Sequence, residues 1–93
     1  MTAPSYVRNP ELLADDLGHG ILILDTDRAK VIELNRTGAR LWRRLAAPAT
    51  AAELLEVLAA AYPAAERAAL AGDVERFLRA ATACDAVREV GAK

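Results

Sequence analysis

The chain has 93 residues, 54% of them hydrophobic but only 4% aromatic, and 22 are alanine, so its large apolar side chains suffice for one modest core. A formal net charge of -1 and a single cysteine argue against a general affinity for nucleic acid or anionic membrane, against an internal disulfide and against a cysteine-rich metal site. The apolar runs are too short to span a membrane, and Met1-Thr-Ala-Pro-Ser5 lacks the basic start and apolar stretch of a signal peptide, so the expectation is a cytoplasmic protein.

In chain order, residues 1–6 read as a flexible lead-in, 7–90 as one domain and 91–93 as a tail, with Pro4 and Pro10 as punctuation. Val7-Arg8 can begin a sheet edge, and Glu11 to Leu17 is either a short strand or a single helical turn. Gly18-His-Gly20 is a turn. Ile21 to Leu24 is a strand, and four apolar residues in a row place it centrally or cover both its faces. Asp25 to Ala29 is a hairpin loop, and Lys30 to Leu34 returns as the partner strand with Ile32 and Leu34 on one face.

Three helices follow. The first spans about 37–47, with Asn35 or Thr37 as its cap, Leu41, Trp42 and Leu45 inside, and Pro48 ending it. The second spans 50–62, opening on Thr50 with Glu53 three residues later, a capping box. The third spans 64–83, where Leu70, Val74, Phe77 and Ala81 recur at helical spacing with Leu78 beside them. Gly72 lies inside it as a point of weakness. Residues 85–90 form a terminal strand or tail. The fold class is therefore α+β: a three-stranded antiparallel sheet packed on three helices, with helix-turn-helix spacing and a hairpin as its wing.

Catalytic constellations are lacking in this pattern. His19 is the only histidine and sits between two glycines, so it reads as a turn residue. Asp15 and Asp16 would point to opposite faces of a strand. Gly18 and Gly20 do not make a phosphate loop. Ser5 and the threonines have no base nearby in sequence, and Cys84 has no cationic neighbour to activate it. The expectation is a non-catalytic protein without a cofactor or metal.

Charge is uneven: residues 1–27 sum to -4 and residues 28–44 to +5. Such a split reads as internal complementarity or solvated faces, or more sharply as a surface for an acidic partner. A DNA-binding regulator of winged-helix type is the alternative function. It fits poorly, because the basic residues sit on the first helix while the second carries Glu53 and Glu56 without a cation. Strand 30–34, by contrast, has one side free if it pairs only with 21–24. An open edge either is blunted by Lys30 and Glu33 or accepts an extended peptide as another strand, with the third helix as the second wall of a groove. An open edge can also pair with another copy, so monomer and homodimer both remain.

The runs Ile21-Leu-Ile-Leu-Asp25, Val31-Ile-Glu-Leu-Asn-Arg-Thr-Gly-Ala-Arg-Leu-Trp42, Thr50-Ala-Ala-Glu-Leu-Leu55, Ala61-Tyr62 and Asp73-Val-Glu-Arg-Phe-Leu78 resemble the PqqD family, over about residues 7–90. The resemblance implies a winged helix-turn-helix used for peptides rather than DNA. Such proteins are recognition elements for ribosomally made, post-translationally modified peptides. They bind the leader of the precursor peptide and present it to a modifying enzyme, often of radical-SAM type, or to a leader peptidase in lasso-type pathways. Carried onto this chain, the resemblance implies that the leader adds along Lys30, Val31, Ile32, Glu33 and Leu34. It would lie against Leu70, Asp73, Val74, Phe77, Leu78 and Ala81, some of which can face the core instead. One departure is the turn Thr26-Asp-Arg-Ala29, where relatives often place Gly before the returning strand; it implies a differently shaped turn.

Overall fold

The apolar run at 21–24 forms the central strand of the first sheet. In this computed structural model, which describes residues 3–90, that strand is β3 (Ile21–Asp25), between β2 (Leu13–Asp16) and β4 (Lys30–Leu34), all antiparallel. The expected tail at 91–93 and the first two residues of the lead-in lie outside the described residues. Only one face of β3 is covered: Ile21 and Ile23 are buried, and Leu24 is exposed. The segment at 11–17 resolves as a strand, because its residues pair with β3 from Leu13↔Leu24 to Asp16↔Ile21.

Two hairpins set the register. Gly18 and His19 close the β2–β3 turn; Gly18 has φ +85° and its N–H donates to Asp16 Oδ1 at 2.9 Å. Gly20 follows, and a Cβ there would stand 2.6 Å from the Leu34 carbonyl oxygen, so β4 approaches more closely than any side chain permits. At the β3–β4 turn Ala29 has φ +52°, the left-handed region that favours glycine. The turn therefore keeps a glycine-like conformation although the residue is alanine. Buried Asp25 accepts the Arg28 N–H at 3.2 Å, and the Arg28 guanidinium donates to the Cys84 carbonyl at 2.9 Å. The loop is thus tied to the end of the last helix.

The chain passes from β4 into α1 (Arg36–Arg44) through Asn35, whose side-chain oxygen accepts the Gly38 N–H at 2.9 Å. Asn35, not Thr37, is the cap. α2 (Ala51–Ala61) opens on the expected capping box: Thr50 Oγ1 accepts the Glu53 N–H, and Glu53 Oε1 accepts the Thr50 N–H. α3 (Arg67–Ala83) starts three residues later than the sequence predicts and runs unbroken through Gly72. Ala64 and Ala65 instead form a turn after Pro63, with the Ala65 N–H bonded to the Tyr62 carbonyl.

A second three-stranded sheet adds to the one expected. β1 (Ser5–Arg8), β5 (Ala49–Thr50) and β6 (Val87–Val90) pair antiparallel in the order β5-β1-β6, with Ser5↔Val90 through Arg8↔Val87. Ordered strand thus begins at Ser5, inside the expected lead-in. The core lies between the two sheets and the helices. It is built from Ile21, Ile23, Leu41, Trp42, Leu45, Leu54, Leu58, Leu70, Val74, Leu78 and Val87, with smaller alanines between them.

Candidate functional site

β4 is the outer strand of its sheet and, among the described residues, has no partner on its far side. Which of its backbone groups face that open side follows from the register. The Leu17 N–H donates to the Gly20 carbonyl at 2.9 Å, so 17 and 20 form a hydrogen-bonded pair in the β2–β3 ladder. Bonded and non-bonded pairs alternate in an antiparallel ladder, so 22 and 24 also point their backbone groups at β2, while 21, 23 and 25 point theirs at β4. Their partners Leu34, Ile32 and Lys30 bond inward. Val31 and Glu33 therefore direct their N–H and C=O groups outward, unpaired.

Side chains follow the other alternation. Ile32 and Leu34 share the core face and are half-buried; Val31 and Glu33 lie on the outer face, where Val31 is 64% exposed. Beside the end of β4 is a groove of about 400 Å³ lined by Glu33, Leu34, Asn35, Thr37, Gly38 and Leu41 on one side and by Asp73, Arg76 and Phe77 of α3 on the other. Asp73 and Arg76 form an ion pair at its rim.

The helical wall differs from the expected one. Leu70, Val74, Leu78 and Ala81 are 2–7% exposed and belong to the core, and none of them lines this groove. Of the residues at the expected helical spacing, Leu70, Val74 and Ala81 pack on the body together with Leu78, whereas Phe77 is only half-buried. α3 lines the groove with 73, 76 and 77, so Phe77 turns from the expected apolar stripe toward the groove beside two charged residues. Of the α3 residues expected at the site, only Asp73 and Phe77 line the groove, and Arg76 joins them.

The basic residues of α1 are largely engaged within the chain. Arg43 makes a two-pronged bond to Asp16 at 2.7 and 2.8 Å and donates to the Gly18 carbonyl at 3.0 Å, clamping α1 to the β2–β3 turn. The Arg43 hydrogen bonds, with the Gly18 N–H, hold the Asp16 carboxyl well below the usual carboxylate range. Arg44 pairs with Glu53 at 3.7 Å, and Arg40 lies 5.6 Å from the centre of the Tyr62 ring. Thr37, then Arg40, lowers the Tyr62 hydroxyl from its ordinary value. The uneven charge thus reads mainly as internal complementarity. Among the described residues, no cluster of three or more His, Cys, Asp or Glu side chains is placed to hold a metal ion. None of the described helices is long and apolar enough to cross a membrane.

Residues 20–87 match the family described as "Coenzyme PQQ synthesis protein D (PqqD)". Among solved structures the chain is similar to "TbiB1 in Complex with the TbiA(beta) Leader Peptide", with a TM-score of 0.78 and 18% identity over 88% of this chain and 94% of that one. At that identity the likeness establishes the α+β fold. Among curated protein sequences none matches this chain.

Proposed function

Because this chain belongs to the PqqD family, matched over residues 20–87, we propose that it is a non-catalytic recognition element for a ribosomally made precursor peptide. The leader adds as a strand on β4. The chain then presents the precursor to a modifying enzyme of radical-SAM type or to a lasso-type leader peptidase, in the cytoplasm where the precursor is made. One observation carries the reading: the outward backbone groups of Val31 and Glu33 stand beside a groove with Leu34, Leu41 and Phe77 among its lining residues. Main-chain bonds to the first would supply affinity, and side chains entering the second would supply specificity. The similar TbiB1 structure, which holds a leader peptide, lends further support. The contact residues on this reading are Lys30 to Leu34, Asp73, Arg76 and Phe77.

The test is a calorimetric titration with the synthetic leader of the precursor encoded beside this gene, and a parallel one with duplex DNA. The reading predicts saturable binding of the leader, one per chain, and no binding of DNA. Salt-sensitive DNA binding without leader binding would transfer the function to a regulator.

A further inference from the structure

The outer face of the β2–β3–β4 sheet carries an apolar patch that extends from Val31 and Glu33 of the leader edge across β3 and β2, which the leader reading does not use. The large hydrophobic residues that are exposed among those described are Leu13 (61%), Leu17 (46%), Leu24 (41%) and Val31 (64%), and the strand alternation puts all of them on this face. Leu13, Leu24 and Val31 are direct cross-strand neighbours, forming one row across the sheet. The next row is Asp15, Leu22 and Glu33, an aliphatic side chain between two carboxylates. Lys30 falls on the opposite face, so the side chains that β2, β3 and β4 direct outward include two acids and no cation. Two strand spacings make the row about 10 Å wide, the diameter of one α-helix.

We propose that this face is a second docking surface, distinct from the β4 edge, for an amphipathic helix of a partner protein whose aliphatic stripe is flanked by Lys or Arg. The apolar row takes the stripe, and Asp15 and Glu33 take the flanking cations. Charge selects this occupant. A second copy of the chain would bring the same two acids through this face, with Arg36 only at its rim beside Leu22 and Glu33, and an anionic membrane would be repelled by both acids. Val31 serves both surfaces without conflict, since its amide faces the edge and its side chain the patch.

The probe is a synthetic helical peptide with a leucine stripe flanked by lysines, compared with the same peptide carrying glutamates in place of the lysines. Both are titrated into methyl-labelled protein. The proposal predicts shifts at the Leu13, Leu24 and Val31 methyls with the lysine peptide. It predicts weaker binding of the glutamate peptide by about fivefold for each ion pair lost. Asp15→Asn should narrow that preference by about fivefold, and Leu13→Ser should weaken the lysine peptide. Both variants should bind the precursor leader as the parent does, which separates this surface from the edge. Equal affinity for the two peptides, or shifts lying outside this face, would overturn the proposal. So would a dimer, seen by sedimentation without peptide, that Leu13→Ser dissociates, because the face would then belong to a second copy.

Discussion

Val31→Pro tests strand addition with little disturbance of the fold. Val31 and Glu33 together direct four backbone groups, two N–H and two C=O, toward the open side of β4. Proline removes one of these donors, and a net hydrogen bond contributes about 0.5–1.5 kcal/mol, or about 2- to 12-fold in affinity. Its ring also projects into the space an added strand would occupy, so leader binding should weaken by at least about tenfold. The Val31 amide bonds nothing in β3 and its side chain is 64% exposed, so the melting temperature should move by no more than about 4 °C. Ile32→Pro is the control. It removes a donor from the β3–β4 ladder, at a residue packed against the core, and should lower stability far more. Fluorescence anisotropy with labelled leader reads binding, and circular dichroism melts read the fold. A folded Val31→Pro protein that binds leader with parental affinity would refute either strand addition on β4 or the alternation worked out from the Leu17–Gly20 bond.

Other perturbations probe the remaining parts of the account. Ala29→Gly should relieve the φ +52° conformation and raise stability by about 1 kcal/mol in urea unfolding, with leader binding unchanged. Leu70→Ala should cost about 2–5 kcal/mol of stability because the side chain is in the core, whereas Phe77→Ala should cost less stability and instead reduce leader affinity. Asp16 binds its proton more weakly in the folded chain than in the unfolded one. Its contribution is therefore complete above the unfolded value, about pH 4, and is lost as the pH falls below it. Urea midpoints measured from neutral pH down to about pH 2 should fall less steeply for Asp16→Asn than for the parent.

What could be read from the sequence was what local signals determine. The capping box at Thr50 and Glu53, the apolar run at 21–24 and the apolar spacing of the third helix are each written within a few residues; the first two form as read, and the third does so except that Leu78 rather than Phe77 is buried with Leu70, Val74 and Ala81. The second sheet has no such signal. Ser5–Arg8 and Val87–Val90 are four residues each, lie at opposite ends of the chain and become strands by pairing with one another, while β5 is only two residues long. The open edge was legible from strand order, but which residues bond outward was not, because that depends on the pairing register. On α3 the apolar spacing does not separate core from groove: Leu70, Val74 and Ala81 pack inward while Phe77 of the same spacing lines the groove, and Arg76 reads as a solvated charge. The arginines of α1 suggested an exposed surface, and only tertiary structure brings Asp16 to Arg43 and Tyr62 to Arg40.

Hydrogen exchange at the amides of β4, with and without the precursor leader, tests the central claim most directly. In the free protein Ile32 and Leu34 should be protected by β3, and Val31 and Glu33 should exchange quickly. Saturating leader should slow exchange at Val31 and Glu33 while leaving the pattern at Ile32 and Leu34 in place. Leader binding that leaves Val31 and Glu33 exchanging as fast as before would contradict addition of the leader as a strand on this edge.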